Sequence, residues 1–298
     1  MKQFKYYAAA LTAFITWGFF SLVLRPLSAF NASDILCYRV YTSIILMALF
    51  LLLFKRKTVK DNLETFRQLP KTEKRKFIGI NIGGGALLTA NWFTFIYAMN
   101  HATVRSTSLA YLICPILTTV LAYFILKEKL KLQQWLAVAI SITGCLLLSL
   151  GHFLEMSYSV IVALTYALYL ILQKQNKGFD KILVLFIQIL FAGIFLMPYF
   201  LKYSGPFITD IKFHGFIVVI AVFFTIVPLL LNLFALKGIN SSTVGMLLNI
   251  NPIIAFVLSA VYFHEKTTTT QLIAFGLVFL AVLIFNIRIK KKEQVSLA

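Results

Sequence analysis

The chain contains ten apolar runs, each long enough to cross a lipid bilayer. A helix of about 20 residues spans a hydrocarbon layer of roughly 30 Å, and inside that layer it satisfies its own backbone hydrogen bonds. Of the 298 residues, 60% are hydrophobic and only 13% are charged. The pattern therefore predicts an all-α polytopic membrane protein with ten transmembrane helices. The predicted spans are residues 6–25, 34–54, 77–99, 104–126, 132–150, 156–173, 182–201, 214–236, 242–263 and 270–288.

One sequence pattern occurs twice, 137 residues apart. Pro115 and the pair Glu128-Lys129 in the first copy correspond to Pro252 and Glu265-Lys266 in the second. Five spans separate equivalent points, so the two copies face opposite sides of the membrane, as inverted repeats in transporters do. The sequence predicts two five-helix structural repeats, residues 1–150 and 151–298.

Nearer the N-terminus, the offset between the two copies is 149 residues. It places Trp17 opposite Tyr166, and Arg39 opposite Gln188. The basic segment 55–76, predicted as a long loop, absorbs the difference of twelve residues. This loop is the largest asymmetry that we expect between the halves.

The net charge of +18 is explained by topology. Lysine and arginine accumulate in short cytoplasmic loops, and nine of them lie between Lys55 and Lys76. Counting basic residues loop by loop puts both termini in the cytoplasm. Because no nucleic-acid-binding module accompanies the charge, we expect no nucleic-acid partner. The first apolar run is as long as a full span, so we interpret it as an uncleaved helix.

Motifs for catalysis or cofactor binding are missing from the sequence. It has no HExxH, no GxSxG, no phosphate loop ending in GK[ST] and no Cys/His pattern with zinc spacing. Three cysteines fall in predicted spans without CxxC spacing, which favours a packing role. We therefore expect no enzyme activity, no metal and no cofactor.

Two stretches carry a resemblance to a known family. Their residues are Asp34-Ile35-Leu36-Cys37-Tyr38-Arg39-Val40 in the first, and Ala90-Asn91-Trp92-Phe93, Tyr97-Ala98-Met99-Asn100, Ser108-Leu109-Ala110-Tyr111, Pro115 and Glu128 in the second. With these residues the chain resembles the RarD-type branch of the EamA drug/metabolite transporters, nearly from end to end. It departs from that pattern at Lys127, where the family often has glycine, and at Thr89-Ala90, which replace glycines.

The resemblance implies a ten-helix basket in which helices three, four, eight and nine line a central cavity. It also implies a secondary carrier in the bacterial cytoplasmic membrane, exporting small organic metabolites or amphipathic drugs by alternating access. A lipid-linked precursor flippase or a channel-like facilitator is the alternative. The expected partners are a small-molecule substrate and the lipid bilayer, and the sequence leaves the oligomeric state open.

Arg39 is the one full charge set deep in a predicted span. It is a candidate anchor for a carboxylate or another anionic group of the substrate. The alternative is that its side chain reaches outward or bonds carbonyls of neighbouring helices.

Pro115, Asn251 and Pro252 are candidates for cavity lining. Each proline removes a helix hydrogen bond in mid-span, and such backbone is tolerated there when it is buried in protein or faces a wet cavity. Hydrogen bonding between helices is the alternative role for Asn251.

Four further side chains complete the predicted substrate site: Asn91, Trp92, Tyr111 and Asn232. An amide beside an aromatic ring suits a small amphipathic solute, although aromatic residues make up 15% of the chain and mostly serve packing. Gly79 and Gly83-Gly84-Gly85 precede these residues and predict close approach of helices.

Acidic residues are confined to the ends of spans, the loops and the tail. Glu128 and Glu265 close the fourth and ninth spans, where we expect each to fix a turn or form a gate contact. Ion-driven carriers commonly keep a carboxylate in the membrane interior. Without one, the sequence favours facilitated movement, or coupling through a less obvious group.

Overall fold

A computed structural model of the chain describes residues 3–101, 104–149, 153–203, 207–264 and 266–287. Within these ranges the chain forms helices and no strands. Glu265 lies outside the described residues, as does the predicted boundary between repeats at residues 150 and 151.

Within the described ranges, the first half of the chain contains seven α-helices and one short 3₁₀ turn, Arg25–Leu27, between the second and third. Its helices are α1 (Phe4–Gly18), α2 (Phe20–Leu24), α3 (Ala32–Phe54), α4 (Arg56–Gln68), α5 (Lys71–His101), α6 (Val104–Leu126) and α7 (Leu132–Ser149).

The second half contains seven more α-helices and a π-helical segment, Val222–Ile226, between the third and fourth of these. Its helices are α8 (Phe153–Gln175), α9 (Lys181–Tyr203), α10 (Ile211–Ala221), α11 (Val227–Ala235), α12 (Ser241–Leu247), α13 (Ile250–Val261) and α14 (Thr269–Asn286).

Among the described residues, eight helical segments are long and apolar enough to cross a membrane. They coincide with eight of the predicted spans, and an all-helical polytopic protein is thus confirmed. The third and fourth predicted spans fall within α5 and α6. The count of ten spans and the inverted orientation remain predictions. The eight segments are 4–27, 32–54, 132–149, 157–175, 181–203, 211–235, 241–261 and 269–286.

The basic segment 55–76 was expected to be a loop, and that expectation is wrong for most of it. Arg56–Gln68 forms the amphipathic helix α4, and α5 already begins at Lys71. An amphipathic helix of this kind is too polar to resemble a span and has a face that can pack against the protein.

Glycines on α5 let it pack closely against α8 and α9, as predicted. A β-carbon at Gly84 would lie 3.0 Å from side-chain atoms of Gln173 and Gln188, and one at Gly85 would lie 2.6 Å from Cβ of Phe191. Gly79 is different, because nothing lies within 4 Å of such a position. The close approach thus begins beyond Gly79.

The two repeated prolines have different effects on their helices. Helix α6 continues through Pro115. In the second copy, the chain breaks between α12 and α13, and the amide of Asn251 donates to the carbonyl of Leu248 at 3.0 Å. Pro252 has no N–H and cannot donate to that carbonyl in the α-helical pattern. The amide of Asn251 donates to the carbonyl instead and forms a tighter turn.

A third proline lies just after the π-helical segment. Pro228 deprives the carbonyl of Phe224, four residues earlier, of its helical donor. The indole Nε1 of Trp17 on α1 donates to this carbonyl at 2.9 Å. The backbone irregularity is therefore satisfied by a neighbouring helix, which is how such irregularities persist at membrane depth.

The helices pack into one body with a shared core. Helix α6 packs against α8 and α12, α5 packs against α8 and α9, α1 packs against α11, and α7 packs against α14. A continuous apolar cluster includes buried residues from both halves. The candidate residues on α3, α5, α6 and α11 therefore belong to helices that contact a common interior.

Candidate functional site

Arg39 lies on α3 and faces the aromatic residues of α5 and α6. Its guanidinium carbon is 4.9 Å from the ring centroid of Trp92. The ring of Tyr111 on α6 lies 5.7 Å from that of Phe95, which is on the same helix as Trp92. The Nε of Arg39 is buried and has no hydrogen-bond partner. One N–H donor of the guanidinium is thus left without a partner beside the ring of Trp92.

Asn232 on α11 presents a free acceptor. Its Nδ2 donates to the hydroxyl of Tyr166 at 3.1 Å, whereas its buried Oδ1 has no hydrogen-bond partner. Tyr166 in turn meets Trp17 edge-on, with ring centroids 5.9 Å apart. Tyr111 lies on α6, which packs against α8, the helix that carries Tyr166.

We define the central cluster as Arg39, Trp92, Tyr111, Tyr166 and Asn232. Four of its members were predicted as substrate contacts. The structure pairs Arg39 with Trp92 and Asn232 with Tyr166, on helices that share one core with the helix of Tyr111. The central cluster contains a cation with a free donor, an amide with a free acceptor, and aromatic rings. Chemically, this set suits a small solute that has an anionic group, a hydrogen-bond donor and an apolar body.

Tyr166 was not singled out from the sequence as a site residue. It lies on α8 and is 6% exposed. The available signal was the 149-residue offset, which places it opposite Trp17. Aromatic residues are so frequent in this chain that composition alone could not select it.

Asn91 has a structural partner for its amide. Its Nδ2 donates to the carbonyl of Val162 at 2.9 Å and to Oγ1 of Thr165 at 3.2 Å, both on α8. These bonds join α5 to α8 one residue before Trp92. In this conformation, Asn91 fixes the helix that carries Trp92.

The remaining predicted residues are buried parts of the helix framework. Pro115 lies in α6, and its carbonyl accepts a hydrogen bond from Thr119 Oγ1 at 2.8 Å. Asn251 and Pro252 are buried in the first turn of α13. They border the break between α12 and α13, where Oδ1 of the neighbouring Asn249 is buried without a partner.

A second polar group, the amide network, joins α5, α8 and α9. Asn81 Oδ1 accepts from Asn176 Nδ2 at 3.1 Å and from Gln188 Nε2 at 3.0 Å. Gln188 Nε2 also donates to Gln173 Oε1 at 2.9 Å. All four residues are at most 3% exposed. The 149-residue offset in the sequence pairs Gln188 with Arg39, so the positions predicted to be equivalent carry a neutral amide in one half and a cation in the other.

Glu128 forms a contact between the ends of two membrane helices, which we call the Glu128 latch. Its carboxylate accepts from the amide of Ser241 at 2.7 Å, and from the amide and hydroxyl of Ser242 at 3.1 and 2.6 Å. These bonds satisfy free N–H groups at the start of α12, and the negative carboxylate also interacts favourably with the positive end of the helix dipole. The latch therefore ties the end of α6 to the start of α12.

A lysine holds the segment that leads into the latch. Lys174 Nζ, at the end of α8, donates to the carbonyls of Leu236 and Ile239 at 2.7 and 2.6 Å. Those carbonyls follow the end of α11, where a cation satisfies free acceptors. Glu128 and Lys174 together fix the connection between α11 and α12.

The residue preceding each repeated glutamate has a left-handed backbone. Lys127 has φ 56° and His264 has φ 52°. This conformation strains side chains with a β-carbon, which explains why glycine suits the position. The chain keeps the turn despite its departure from the family's glycine, and it does so in both copies.

Metal binding finds no support in the described ranges, which contain no group of three or more His, Cys, Asp or Glu side chains placed to hold an ion. The three cysteines are free and buried. The arrangement offers binding groups for a solute and hydrogen bonds between helices.

Comparison with known sequences gives a family match over nearly the whole chain. The profile of the EamA-like transporter family matches residues 4–150 and again residues 154–287.

Similar proteins are bacterial. The chain is 26% identical to the uncharacterized transporter YojE of Bacillus subtilis, covering 95% of this chain and 94% of that protein. It is 27% identical to Protein RarD of Streptomyces exfoliatus, covering 92% and 85% of the two chains. It is 26% identical to Protein RarD of Escherichia coli, covering 93% and 92%.

One solved crystal structure is similar in fold. It has a TM-score of 0.72 and 12% sequence identity, and the match covers 93% of this chain and 94% of the other. This likeness shows the shared architecture alone.

Proposed function

Since this chain belongs to the EamA-like transporter family, we propose that it is a secondary carrier that exports small organic metabolites or amphipathic drugs. It is a multi-pass membrane transporter, and we place it in the bacterial cytoplasmic membrane with both termini in the cytoplasm. Efflux is the direction that the family resemblance implies. Transport proceeds by alternating access between two inverted repeats of five helices, residues 1–150 and 151–298.

The free Nε of Arg39 beside Trp92 is the observation that carries the proposed site. An arginine at membrane depth is costly, and a buried donor without a partner adds to that cost. A substrate carboxylate would supply the missing acceptor and neutralise the charge. Trp92 and Tyr111 would contact the apolar part of the same substrate.

Asn232 supports a second point of substrate contact. Its unpaired Oδ1 is an acceptor, so it suits an N–H or O–H group of the solute. Asn91, Pro115, Asn251 and Pro252 shape the site by fixing or interrupting the helices around it. The site proposed here thus contains all eight predicted residues, with direct contact assigned to Arg39, Trp92, Tyr111 and Asn232.

Several features support the two-repeat mechanism. The family profile matches the chain twice, and the left-handed residues Lys127 and His264 are 137 residues apart. Inverted repeats that rock around a central site expose it to each side in turn. On the predicted topology the Glu128 latch lies at the cytoplasmic end, where it closes α6 against α12. Opening toward the cytoplasm would then require the latch to break.

Solute counterflow in proteoliposomes tests the proposed function. Vesicles loaded with one candidate solute receive a trace of the labelled form, and a panel of amino acids, other carboxylates and neutral amphipathic drugs is compared. A carrier gives saturable, transient accumulation of at least one solute. Loading substrate on either side measures the preferred direction. A channel gives no counterflow, and a flippase instead moves labelled lipid between leaflets, so either result would replace the carrier proposal.

Arg39 variants test the site within the same assay. We expect Arg39→Ala to lower transport of carboxylate solutes by about tenfold or more, since charge-assisted hydrogen bonds contribute roughly 1.5–3 kcal/mol. Arg39→Lys keeps the charge but not the planar guanidinium group, so its carboxylate transport should lie between that of the wild type and that of Arg39→Ala. Rates are normalised to folded protein in the membrane. Unchanged carboxylate transport by Arg39→Ala would leave Arg39 with a structural role.

A further inference from the structure

Helix α4 carries a stripe of basic residues interrupted by a leucine. Arg56, Lys60, Leu63 and Arg67 follow the spacing i, i+4, i+7 and i+11, which puts them on one face of a helix. All four side chains are exposed, Leu63 by 47%. We call these four residues the α4 stripe. The proposed transport function does not use it.

The face of α4 next to the stripe is docked on the protein. The ring of Phe66 lies 5.6 Å from that of Phe77, which lies 4.0 Å from that of Phe179. Asn62 Oδ1 accepts from the backbone amide of Asp180 at 2.9 Å. Helix α4 is therefore held at a fixed angle, by contacts that reach the connection between α8 and α9.

The end of α4 is also fixed. Lys74 Nζ, in the first turn of α5, donates to the carbonyl of Arg67 at 2.7 Å. At the other end, α4 follows directly on the membrane helix α3, whose last residues Leu53 and Phe54 are 62% and 73% exposed. The stripe thus begins where the lipid-facing surface of α3 ends.

The pattern of charges matches a membrane surface. The acidic residues Asp61 and Glu64 lie outside the stripe, whereas further exposed cations, Lys71, Arg75 and Lys76, begin α5. Exposed leucine between cations is typical of helices that lie in the headgroup region, with the apolar side chain at the acyl boundary. Juxtamembrane cations on the cytoplasmic side attract anionic lipids.

From this placement we propose that α4 is an interfacial helix that binds anionic phospholipids of the cytoplasmic leaflet. Arg56, Lys60 and Arg67 contact the phosphate groups, and Leu63 enters the acyl boundary. Because Asn62 is bonded to the backbone of Asp180, a lipid-bound α4 also restrains the connection between α8 and α9. The two repeat offsets, 137 and 149 residues, differ by twelve, and this predicts that the second half lacks a segment equivalent to α4.

Lipid retention in native mass spectrometry tests this proposal. Full-length protein in mild detergent is titrated with phosphatidylglycerol or with phosphatidylcholine of the same acyl chains. We expect wild-type protein to retain phosphatidylglycerol preferentially, with affinity that falls as salt rises. The triple variant Arg56→Gln, Lys60→Gln, Arg67→Gln should bind phosphatidylglycerol about tenfold more weakly or worse, because each surface cation contributes severalfold.

The matched control is Lys129→Gln, Lys131→Gln, Lys177→Gln, which removes the same charge from other exposed positions on the same predicted side. It should retain lipid almost as the wild type does. Leu63→Ser removes no charge and should weaken binding of both lipids. If the triple variant proves unstable, the three single substitutions are measured separately.

If the control variant loses phosphatidylglycerol binding to the same extent, net charge alone explains the binding, and its assignment to α4 is overturned. Wild-type retention by the triple variant, or equal retention of the two lipids, would also overturn it. The α4 stripe would then be a surface for a soluble partner. None of these outcomes depends on the substrate, so failure here leaves the proposed carrier function intact.

Discussion

At the scale of single residues, Trp17 shows how one side chain can support irregular backbone. Pro228 leaves the carbonyl of Phe224 without its helical donor, and the indole of Trp17 supplies one from another helix. The same indole ring meets Tyr166 of the central cluster edge-on. Trp17 therefore connects the π-helical segment with the proposed site.

We expect Trp17→Phe to destabilise the protein by about 1–2 kcal/mol, because it leaves the partly buried carbonyl of Phe224 without this donor while retaining an aromatic ring. Pro228→Ala restores a backbone N–H that can donate to Phe224. Trp17→Phe should therefore destabilise the protein less when Pro228→Ala is also present. Thermal unfolding in detergent of the wild type, the two single variants and the double variant measures this coupling. Equal destabilisation in both backgrounds would contradict the role of Trp17 as the donor to the Phe224 carbonyl.

At the scale of helices, the glycines of α5 offer a test of close packing. Gly85 faces α9 at a distance that leaves no room for a methyl group, whereas Gly79 lies six residues earlier on the same helix with open space beside it. The two positions share a helix and differ in their neighbours. Comparing them separates packing from helix propensity.

We expect Gly85→Ala to destabilise the protein by about 1–3 kcal/mol, as overpacking does, because the backbone carbonyl of Gln188 would lie 2.8 Å from the added carbon. Gly79→Ala should be neutral or stabilising by up to about 1 kcal/mol, since alanine favours helix. Melting temperatures in one detergent compare the two variants. Similar destabilisation by both would show that packing on α9 does not distinguish them.

Most membrane helices could be predicted from the sequence because apolar length is a local property. Helix α4 was missed, since its stability depends on the docking of Phe66 and Asn62 on distant residues. The different outcomes at Pro115 and Pro252 were also not predictable. Helix α6 continues through Pro115, whereas Pro252 lies beside the break between α12 and α13, where the backbone around Leu248 adopts a tighter turn.

The residues of the proposed site could be selected from the sequence, but the contacts between them could not. Arg39, Trp92 and Asn232 were identifiable because polar or aromatic groups stand out among apolar spans. Their arrangement depends on how α3, α5 and α11 pack, which periodicity does not encode. Tyr166 and the partners of Asn91 emerged only from that packing.

At the scale of the whole molecule, the Glu128 latch and Lys174 fix the connection between α11 and α12. On the predicted topology this connection is cytoplasmic, whereas the central cluster draws on α3, α5, α6, α8 and α11. In the proposed alternating-access cycle, opening toward the cytoplasm would release this contact. The latch would then set part of the balance between the closed and open forms at this end.

We expect Glu128→Ala to raise amide hydrogen exchange in Ser241–Leu247 by about 30-fold, since losing a carboxylate that caps two backbone amides costs roughly 2 kcal/mol. Glu128→Gln keeps one acceptor and should give a smaller increase. Lys129→Ala, at the adjacent exposed position, is the control and should leave exchange unchanged. Exchange in α14 should respond less than exchange in Ser241–Leu247, because the carboxylate hydrogen-bonds Ser241 and Ser242. Unaltered protection of Ser241–Leu247 in Glu128→Ala would mean that other contacts hold the start of α12, and the gate would then have to be sought at Lys174.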